Sequence, residues 1–206
     1  MTTMNFSHHL IRSAAAASML WVAGCAEQST SNRSESSAPP SSSIDAEDSP
    51  STGDEIQLQT VDRARFDRVL AGHQGKVVFV DYWATWCGNC MEEFPHTVAL
   101  HEKYAADGLA VVSLAMEFDP DDAATRQRAW EFLKTQNARF DNLYADSPDA
   151  LEQYGIDVLP HYRLYDRTGK LHREFTFSDP DNPISQADIE AAVRELLASE
   201  PMDTQK

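Results

Sequence analysis

Cysteine and basic side chains are scarce in this sequence of 206 residues. It contains 3 cysteines, and its 17 Lys and Arg residues are outnumbered by 33 Asp and Glu residues, which gives a formal net charge of −16. Three cysteines are too few for the disulfide framework of a small secreted protein. The lack of clustered basic residues argues against binding to nucleic acid or to an anionic lipid surface, and the acidity predicts a soluble, self-repelling surface.

Long hydrophobic runs are also missing, and the apolar stretch near the N-terminus is short. "SAAAASMLWVA" at residues 13–23 has the length of a signal-peptide core but cannot span a bilayer as a helix. It follows the weakly basic Arg12 and runs into "VAGC", which resembles the bacterial lipobox, where cleavage precedes a cysteine that is then acylated. The sequence therefore predicts a lipoprotein signal peptide at residues 1–24 and lipidation of Cys25. The alternative is an ordinary cleavage site that leaves Cys25 as a free thiol.

The segment after Cys25 differs sharply in composition from the rest of the chain. Residues 25–55 are rich in Ser, Pro and acidic side chains, and Ile44 is the only large apolar residue among them. Such a segment cannot bury enough surface to offset the entropy of ordering, so we predict a disordered linker. With several acyl chains on Cys25, this linker would tether a folded domain at residues 56–199 stably to a membrane. A flexible tail is expected at residues 200–206.

The folded part alternates between strand and helix patterns. Continuous apolar runs at residues 76–84 and 109–117 predict central strands that are covered on both faces. Further strands are predicted at residues 56–61 (an edge strand) and 140–146, and in a hairpin at residues 161–177 that turns at Thr168 and Gly169. Helices are predicted at residues 62–72 (capped by Asp62), 87–108 (interrupted or kinked by Pro95), 120–136 (opened by Asp119 and Pro120), 148–155 and 184–199. This order predicts an α/β fold with a central mixed β-sheet and helices on both faces.

Two of the three cysteines stand two residues apart in "VDYWATWCGNC", between a predicted strand and a predicted helix. Unpaired N–H groups at a helix N-terminus stabilise a thiolate, so we expect Cys87 to attack a disulfide and the more buried Cys90 to resolve the product. A purely structural disulfide is one alternative. A zinc site with His96 and His101 is another, which the placement of all four residues along one helix disfavours, so we expect both histidines to be ordinary surface residues.

The longer motifs carry a family resemblance. "WATWC" and "CMEEFP" around the cysteines, the helix and strand of residues 119–146, and "YGIDVLPHYRLYDRTGK" are similar to TlpA/ResA-like membrane-tethered thiol–disulfide oxidoreductases, which have a thioredoxin fold. The resemblance covers nearly all of residues 56–199. It implies a redox-active disulfide between Cys87 and Cys90, without a metal or cofactor, that reduces disulfides in proteins such as apocytochromes c. It also implies a location in the bacterial cell envelope and a membrane electron donor of the DsbD or CcdA kind.

The resemblance also assigns roles to two acids near the cysteines. Asp81 matches the buried aspartate beneath the thioredoxin disulfide, where a carboxylate with a raised pKa can accept a proton from the resolving thiol. Glu93 matches a glutamate near the thiols and lies on the same helix face as Cys90. The alternatives are that Asp81 is a strand-end residue turned to water and that Glu93 is a solvated acid of the helix surface.

Substrate-binding residues follow from the same resemblance. Pro160 matches the cis-proline whose loop lies against the disulfide, although a trans-proline before a strand would give the same sequence. Together with Leu159 and Trp86, it is expected to contact substrate. Asn89 replaces the usual proline between the cysteines, and Met91 replaces a basic residue, so the sequence leaves the redox potential open. It also leaves open a peptide-binding module whose disulfide stays permanently oxidised.

Overall fold

The computed structural model describes residues 55–176 and 185–199. The predicted signal peptide at residues 1–24, Cys25, all but the last residue of the predicted linker and the tail at residues 200–206 lie outside the described residues. So do Phe177 and Ile184, each at one end of a predicted element. None of the helices in the described ranges has the length and apolar character needed to cross a membrane.

The strands of the described ranges form one mixed sheet. They are β1 (Gln59–Val61), β2 (Val77–Trp83), β3 (Leu109–Ala115), β4 (Asp141–Ala145), β5 (His161–Tyr165) and β6 (Leu171–Thr176). Their order across the sheet is β1-β4-β3-β2-β5-β6. Strands β1, β4, β3 and β2 pair in parallel. Strand β5 pairs antiparallel with β2, and β6 pairs antiparallel with β5. The predicted mixed sheet is confirmed, with β1 at its edge and β2 and β3 at its centre.

Five α-helices connect or follow these strands in the described residues. They are α1 (Arg63–Gly72), α2 (Gly88–Tyr104), α3 (Ala123–Thr135), α4 (Ala150–Tyr154) and α5 (Gln186–Ala198). As predicted, the Asp62 side chain caps α1 by accepting a hydrogen bond from the amide of Arg65 at 2.6 Å.

Helices cover both faces of the sheet, as the side chains of β2 show. Every residue of β2 is buried, and successive side chains of a strand point to opposite faces. The rings of Phe66 in α1 and Tyr154 in α4 pack around Tyr82. The neighbouring Trp83 instead packs against Phe94 of α2 and Phe132 of α3. Helices α1 and α4 therefore cover one face, and α2 and α3 cover the other.

Two predicted helix bounds differ from the structure, and one of the two alternatives for Pro95 is excluded. Helix α3 begins at Ala123 instead of Pro120, because the Asp122 carboxylate accepts hydrogen bonds from the amides of Ala124 and Thr125 at 3.2 and 3.0 Å. Helix α2 continues through Pro95, so the predicted interruption is wrong, whereas a kink at this residue stays a prediction. Proline removes one backbone donor there, but buried side chains anchor the helix on both sides of it. That helix also ends at Tyr104, before a 3₁₀ turn that Gly108 closes at φ 99°.

Candidate active site

The cysteines lie where the two central parallel strands end. Strand β2 ends at Trp83 and its chain continues through Ala84 and Thr85 to Cys87, the residue before α2. Strand β3 ends beside it, and the amide of Met116 extends the pairing by donating to the carbonyl of Trp83 at 2.8 Å. In open α/β sheets, the carboxyl ends of the strands form the edge where functional groups gather. The candidate site is built from this edge.

Cys87 and Cys90 form a disulfide, with their Cα atoms 5.2 Å apart. Cys87 is the N-cap residue of α2, and its sulfur accepts a hydrogen bond from the amide of Cys90 at 3.2 Å. The exposed fraction is 8% for Cys87 and 2% for Cys90, in the predicted order. A sulfur at this position faces the unpaired amides and the positive end of the helix dipole, so the site can stabilise a thiolate on Cys87 once the disulfide opens.

Asp81 is buried on the same face of the sheet as α2. Its Oδ2 accepts a hydrogen bond from the Thr97 hydroxyl of α2 at 2.6 Å, whereas its Oδ1 is buried without a partner. Burial raises the pKa of Asp81 from 3.8 to about 7, and the Thr97 hydrogen bond opposes that rise. The alternative of a strand-end residue turned to water is therefore wrong. A carboxyl group with such a pKa can both accept and release a proton near neutral pH.

Glu93 is half-buried and joined to α5. Its Oε2 accepts a hydrogen bond from the Gln186 amide at 2.6 Å and lies 3.9 Å from Nε2 of His96. Tyr162 of β5 lies opposite Asp81 in the pairing of β2 with β5. Burial, followed by the charges of Asp81 and Glu93, raises the pKa of the Tyr162 phenol. Glu93 is thus held in a polar cluster and is not a freely solvated acid.

The predicted proline loop also reaches this edge of the sheet. The Leu159–Pro160 peptide bond is cis, as the family resemblance implied. Strand β5 begins with His161 opposite Tyr82, and the same register continued by one residue sets Pro160 opposite Trp83. The loop therefore lies against the end of the strand that leads to the cysteines.

Sequence reasoning missed a carboxylate that holds the segment before the cysteines. Glu117, two residues after β3, accepts hydrogen bonds from the amide of Thr85 at 2.7 Å and from its hydroxyl at 3.0 Å. Glu117 is buried, and burial raises its pKa against the opposing effect of these bonds. One signal in the sequence could have found it, since Glu117 is a charged residue at the end of the apolar run 109–117, which is predicted to be a central strand.

Next to this contact, two exposed aromatic rings stack on each other. The Trp86 and Phe118 ring centroids are 4.4 Å apart, with an interplanar angle of 13°. The family resemblance predicts that Trp86 contacts substrate, whereas no pattern in the sequence singles out Phe118. The stack puts an apolar surface directly before Cys87 in the chain.

The two histidines considered as zinc ligands differ from each other. His96 is exposed, as predicted. His101 is half-buried against the ring of Phe140, and burial lowers its pKa, so its interpretation as an ordinary surface residue is wrong. Residues 55–176 and 185–199 contain no group of three or more His, Cys, Asp or Glu that could hold a metal ion.

A cavity of about 400 Å³ lies away from the cysteines, between α1 and the turn from β5 to β6. Its lining includes Phe66, Tyr165 and Gly169, but neither cysteine nor any of the site residues described above. The chemistry of the cysteine pair is therefore located at the end of the sheet and not in this cavity.

Comparison with known proteins agrees with this geometry. The Redoxin family model matches residues 50–193. Thiol-disulfide oxidoreductase ResA of Bacillus thuringiensis is 30% identical over 105 residues, which are 51% of this chain and 57% of that protein. Protein DipZ of Mycobacterium bovis is 32% identical over 133 residues, which are 62% of this chain but 18% of DipZ. The chain thus spans little more than half the length of the ResA protein it matches.

A solved structure supports the fold assignment. The crystal structure of a candidate thiol:disulfide interchange protein DsbE from Chlorobium tepidum matches with a TM-score of 0.51 and 28% sequence identity. The match covers 63% of this chain and 85% of that one. Together with the mixed sheet and the position of the cysteine pair, it confirms the predicted thioredoxin fold.

Proposed function

The chain belongs to the Redoxin family, and from this premise we propose that it is a thiol–disulfide oxidoreductase that reduces disulfides in other proteins. The observation that carries the proposal is the Cys87–Cys90 disulfide at the N-terminus of α2, with the Cys87 sulfur facing the amide of Cys90 at 3.2 Å. A disulfide that closes so small a loop stabilises a fold little, so a purely structural role does not explain why the pair lies at a helix N-terminus.

The reaction runs in two exchanges. In the reduced protein, the Cys87 thiolate attacks one sulfur of a substrate disulfide, that bond breaks, and the departing thiolate takes up a proton. The Cys90 thiol loses its proton and attacks the Cys87 sulfur of the mixed disulfide, which releases the second substrate thiol. The Cys87–Cys90 disulfide forms as the substrate gains two electrons and two protons. A dithiol donor must then reduce the protein for another turnover.

Asp81 is the group we propose for the proton of Cys90. Its pKa of about 7 lets it take up a proton as Cys90 attacks, and its unpartnered Oδ1 has the free lone pairs to do so. Glu93 is proposed to act beside it, since it follows Cys90 by three residues on α2 and its Oε2 is held by the Gln186 side-chain amide at 2.6 Å. The proton would move from Cys90 to these acids either directly or through one bridging water molecule.

We further propose that the protein works outside the cytoplasmic membrane, anchored through acylated Cys25. The lipobox-like "VAGC" after a signal-peptide core supports the anchor. The similarity to ResA supports a role on protein disulfides, among which apocytochromes c are the proposed substrates. A membrane dithiol donor of the DsbD or CcdA kind would supply the electrons. In DipZ the matched segment is a small part of a much longer protein, so related domains also occur joined to further polypeptide.

The Cys90→Ser variant tests the assigned roles. Cys87 should still attack, but nothing would resolve the mixed disulfide, so covalent complexes should survive non-reducing electrophoresis. Cys87→Ser should trap far less, because Cys90 is the more buried sulfur. Equal trapping by both variants would overturn the roles. Cytochrome precursors among the trapped proteins would support the proposed substrates, and a spread of unrelated secreted proteins would point to general disulfide reduction.

One observation favours a second candidate function. Both cysteines are almost fully buried and bonded to each other, which would suit a peptide-binding module whose disulfide never opens. An insulin reduction assay with dithiothreitol separates the two functions. Turnover that disappears in Cys87→Ser supports the oxidoreductase, whereas no turnover, together with no trapped complexes, supports the binding module.

A further inference from the structure

Exposed aromatic surface is concentrated beside Cys87. Among the described residues, three large hydrophobic side chains are exposed, with exposed fractions of 43% for Trp86, 63% for Phe118 and 41% for Leu171. Single exposed hydrophobic residues are common on protein surfaces, and Leu171 is of this kind. Trp86 and Phe118, by contrast, stack on each other with centroids 4.4 Å apart, next to the sulfur that must meet the substrate.

The buried carboxylate of Glu117 links the two chain segments that carry the stacked rings. Its hydrogen bonds to Thr85 join the two segments at the residues immediately before Trp86 and Phe118. The two rings are thus positioned by their own backbone neighbours as well as by each other. A surface that is already ordered loses little conformational entropy when a partner binds to it.

Cations lie over several other rings of this domain but not over this pair. Lys134 is 4.2 Å from the ring centroid of Trp130, and Arg63 is 4.9 Å from that of Tyr154. None of the cation contacts in the described part of the chain involves Trp86 or Phe118. Since Trp86 is 43% exposed and Phe118 is 63% exposed, part of the surface of the pair is accessible to a cation from another molecule.

Charge near the pair favours such a cation. Asp119 and Asp121 follow Phe118 closely, both are exposed, and neither has an ion pair among the described residues. The whole chain carries a formal net charge of −16. A basic side chain is therefore attracted to this edge by the carboxylates and by the aromatic faces together.

We propose that Trp86 and Phe118 form a platform that binds an Arg or Lys side chain of the substrate polypeptide, close to its disulfide. The inference rests on the proposed function and adds a substrate class to it: disulfides with a neighbouring basic residue. Arginine fits best, because its planar guanidinium stacks on aromatic faces. The platform acts before the first exchange, by holding the substrate disulfide at Cys87.

Cyclic peptides closed by one disulfide test the platform. Three peptides differ only in the residue beside one cysteine, which is Arg, Gln or Leu. The full-length protein is first reduced and freed of reductant, then mixed with excess peptide, and oxidation of the Cys87–Cys90 pair is followed by acid quench and thiol labelling. The Arg peptide should react about two- to fivefold faster than the Gln peptide, as expected for one exposed cation–π contact.

Two variants of Phe118 and one control separate the platform from general effects. Phe118→Ala and Phe118→Leu should each remove the preference for Arg, and Leu keeps apolar bulk without an aromatic face. Leu171→Ala removes a comparably exposed hydrophobic side chain from β6 and should keep the preference. All variants should oxidise at the wild-type rate with bis(2-hydroxyethyl) disulfide, which is uncharged and so reports thiol reactivity alone.

The outcomes distinguish this inference from the proposed function. Equal rates with the Arg and Gln peptides, or a preference that survives Phe118→Ala, overturn the platform and leave the oxidoreductase intact. Faster reaction of the Leu peptide than of the Arg peptide also overturns it, by assigning the pair to apolar side chains. If the wild-type protein reduces neither the peptides nor bis(2-hydroxyethyl) disulfide, the proposed function fails and the inference fails with it.

Discussion

The replacement Asp81→Asn is expected to change the pH dependence of stability by a predictable amount. Asp81 is fully buried, and its pKa rises from 3.8 to about 7 because burial disfavours the charged form. The folded protein therefore binds more protons than the unfolded chain between these two values. The contribution of Asp81 to stability falls as the pH rises from about 4 to about 7 and then stays level, because above that range both states have lost the proton.

The size of this effect follows from the pKa shift. At about 1.4 kcal/mol for each pKa unit, the full penalty at alkaline pH is roughly 4 kcal/mol, of which about 1.7 kcal/mol is already present at pH 5. Asparagine does not ionise, so Asp81→Asn removes the pH-dependent part. The introduced asparagine would keep an oxygen for the Thr97 hydroxyl, and its amide would cost about 1–3 kcal/mol as an unpaired buried donor, equally at every pH.

The quantity to measure is the difference in unfolding free energy between variant and wild type. This difference should move by about 3 kcal/mol in favour of Asp81→Asn between pH 5 and pH 9, and the pH-independent amide cost cancels. Urea unfolding of the oxidised full-length chain provides it by linear extrapolation. Cys25→Ser in both proteins would remove the one thiol able to exchange with the disulfide at alkaline pH.

Thr97→Val is the matched control of opposite sign. The Thr97 hydroxyl opposes the rise in the pKa of Asp81, so removing it should raise that pKa further and steepen the loss of stability with pH. Parallel stability curves for the wild type and Asp81→Asn would refute the reasoning, because they would show that Asp81 does not titrate within this range.

The remaining predictions concern the anchor, the proton transfer and the segment before the cysteines. Mass spectrometry of the mature protein should show an acylated N-terminal Cys25, and a mature chain that starts elsewhere or carries an unmodified thiol would contradict the anchor. Asp81→Asn and Glu93→Gln should each slow disulfide exchange, and the effect of Asp81→Asn should be strongest near neutral pH, where the Asp81 carboxylate is available as a proton acceptor and thiolate is still scarce. Unchanged pH–rate profiles in both variants would remove the two acids from the mechanism. Glu117→Ala should lower the free energy of unfolding by about 1–3 kcal/mol, because the amide of Thr85 loses its acceptor, and an unchanged urea midpoint would show that this contact is replaced.

Features that depend on neighbours along the chain could be predicted from the sequence. The cap at Asp62, the cysteine pair between a strand and a helix and the turn at Gly169 all depend on residues a few positions apart. Apolar runs likewise identified the two central strands, and with the family resemblance they led to the thioredoxin fold. Where local signals compete, the prediction was less accurate. Asp119, Pro120 and Asp122 can each begin a helix, and only the Asp122 carboxylate does so.

The environment of the site depends on contacts between distant parts of the chain. The hydrogen bond between Asp81 and Thr97 spans 16 residues, and that between Thr85 and Glu117 spans 32. Both form because β2 lies beside β3 and α2 packs on one face of the sheet. The sequence, with its family resemblance, determined the cysteine pair and the expectation that the pKa of Asp81 is raised. Only the tertiary structure decided the size of that rise and the contacts of Thr97 and Glu117, since desolvation and hydrogen bonding depend on how distant segments pack.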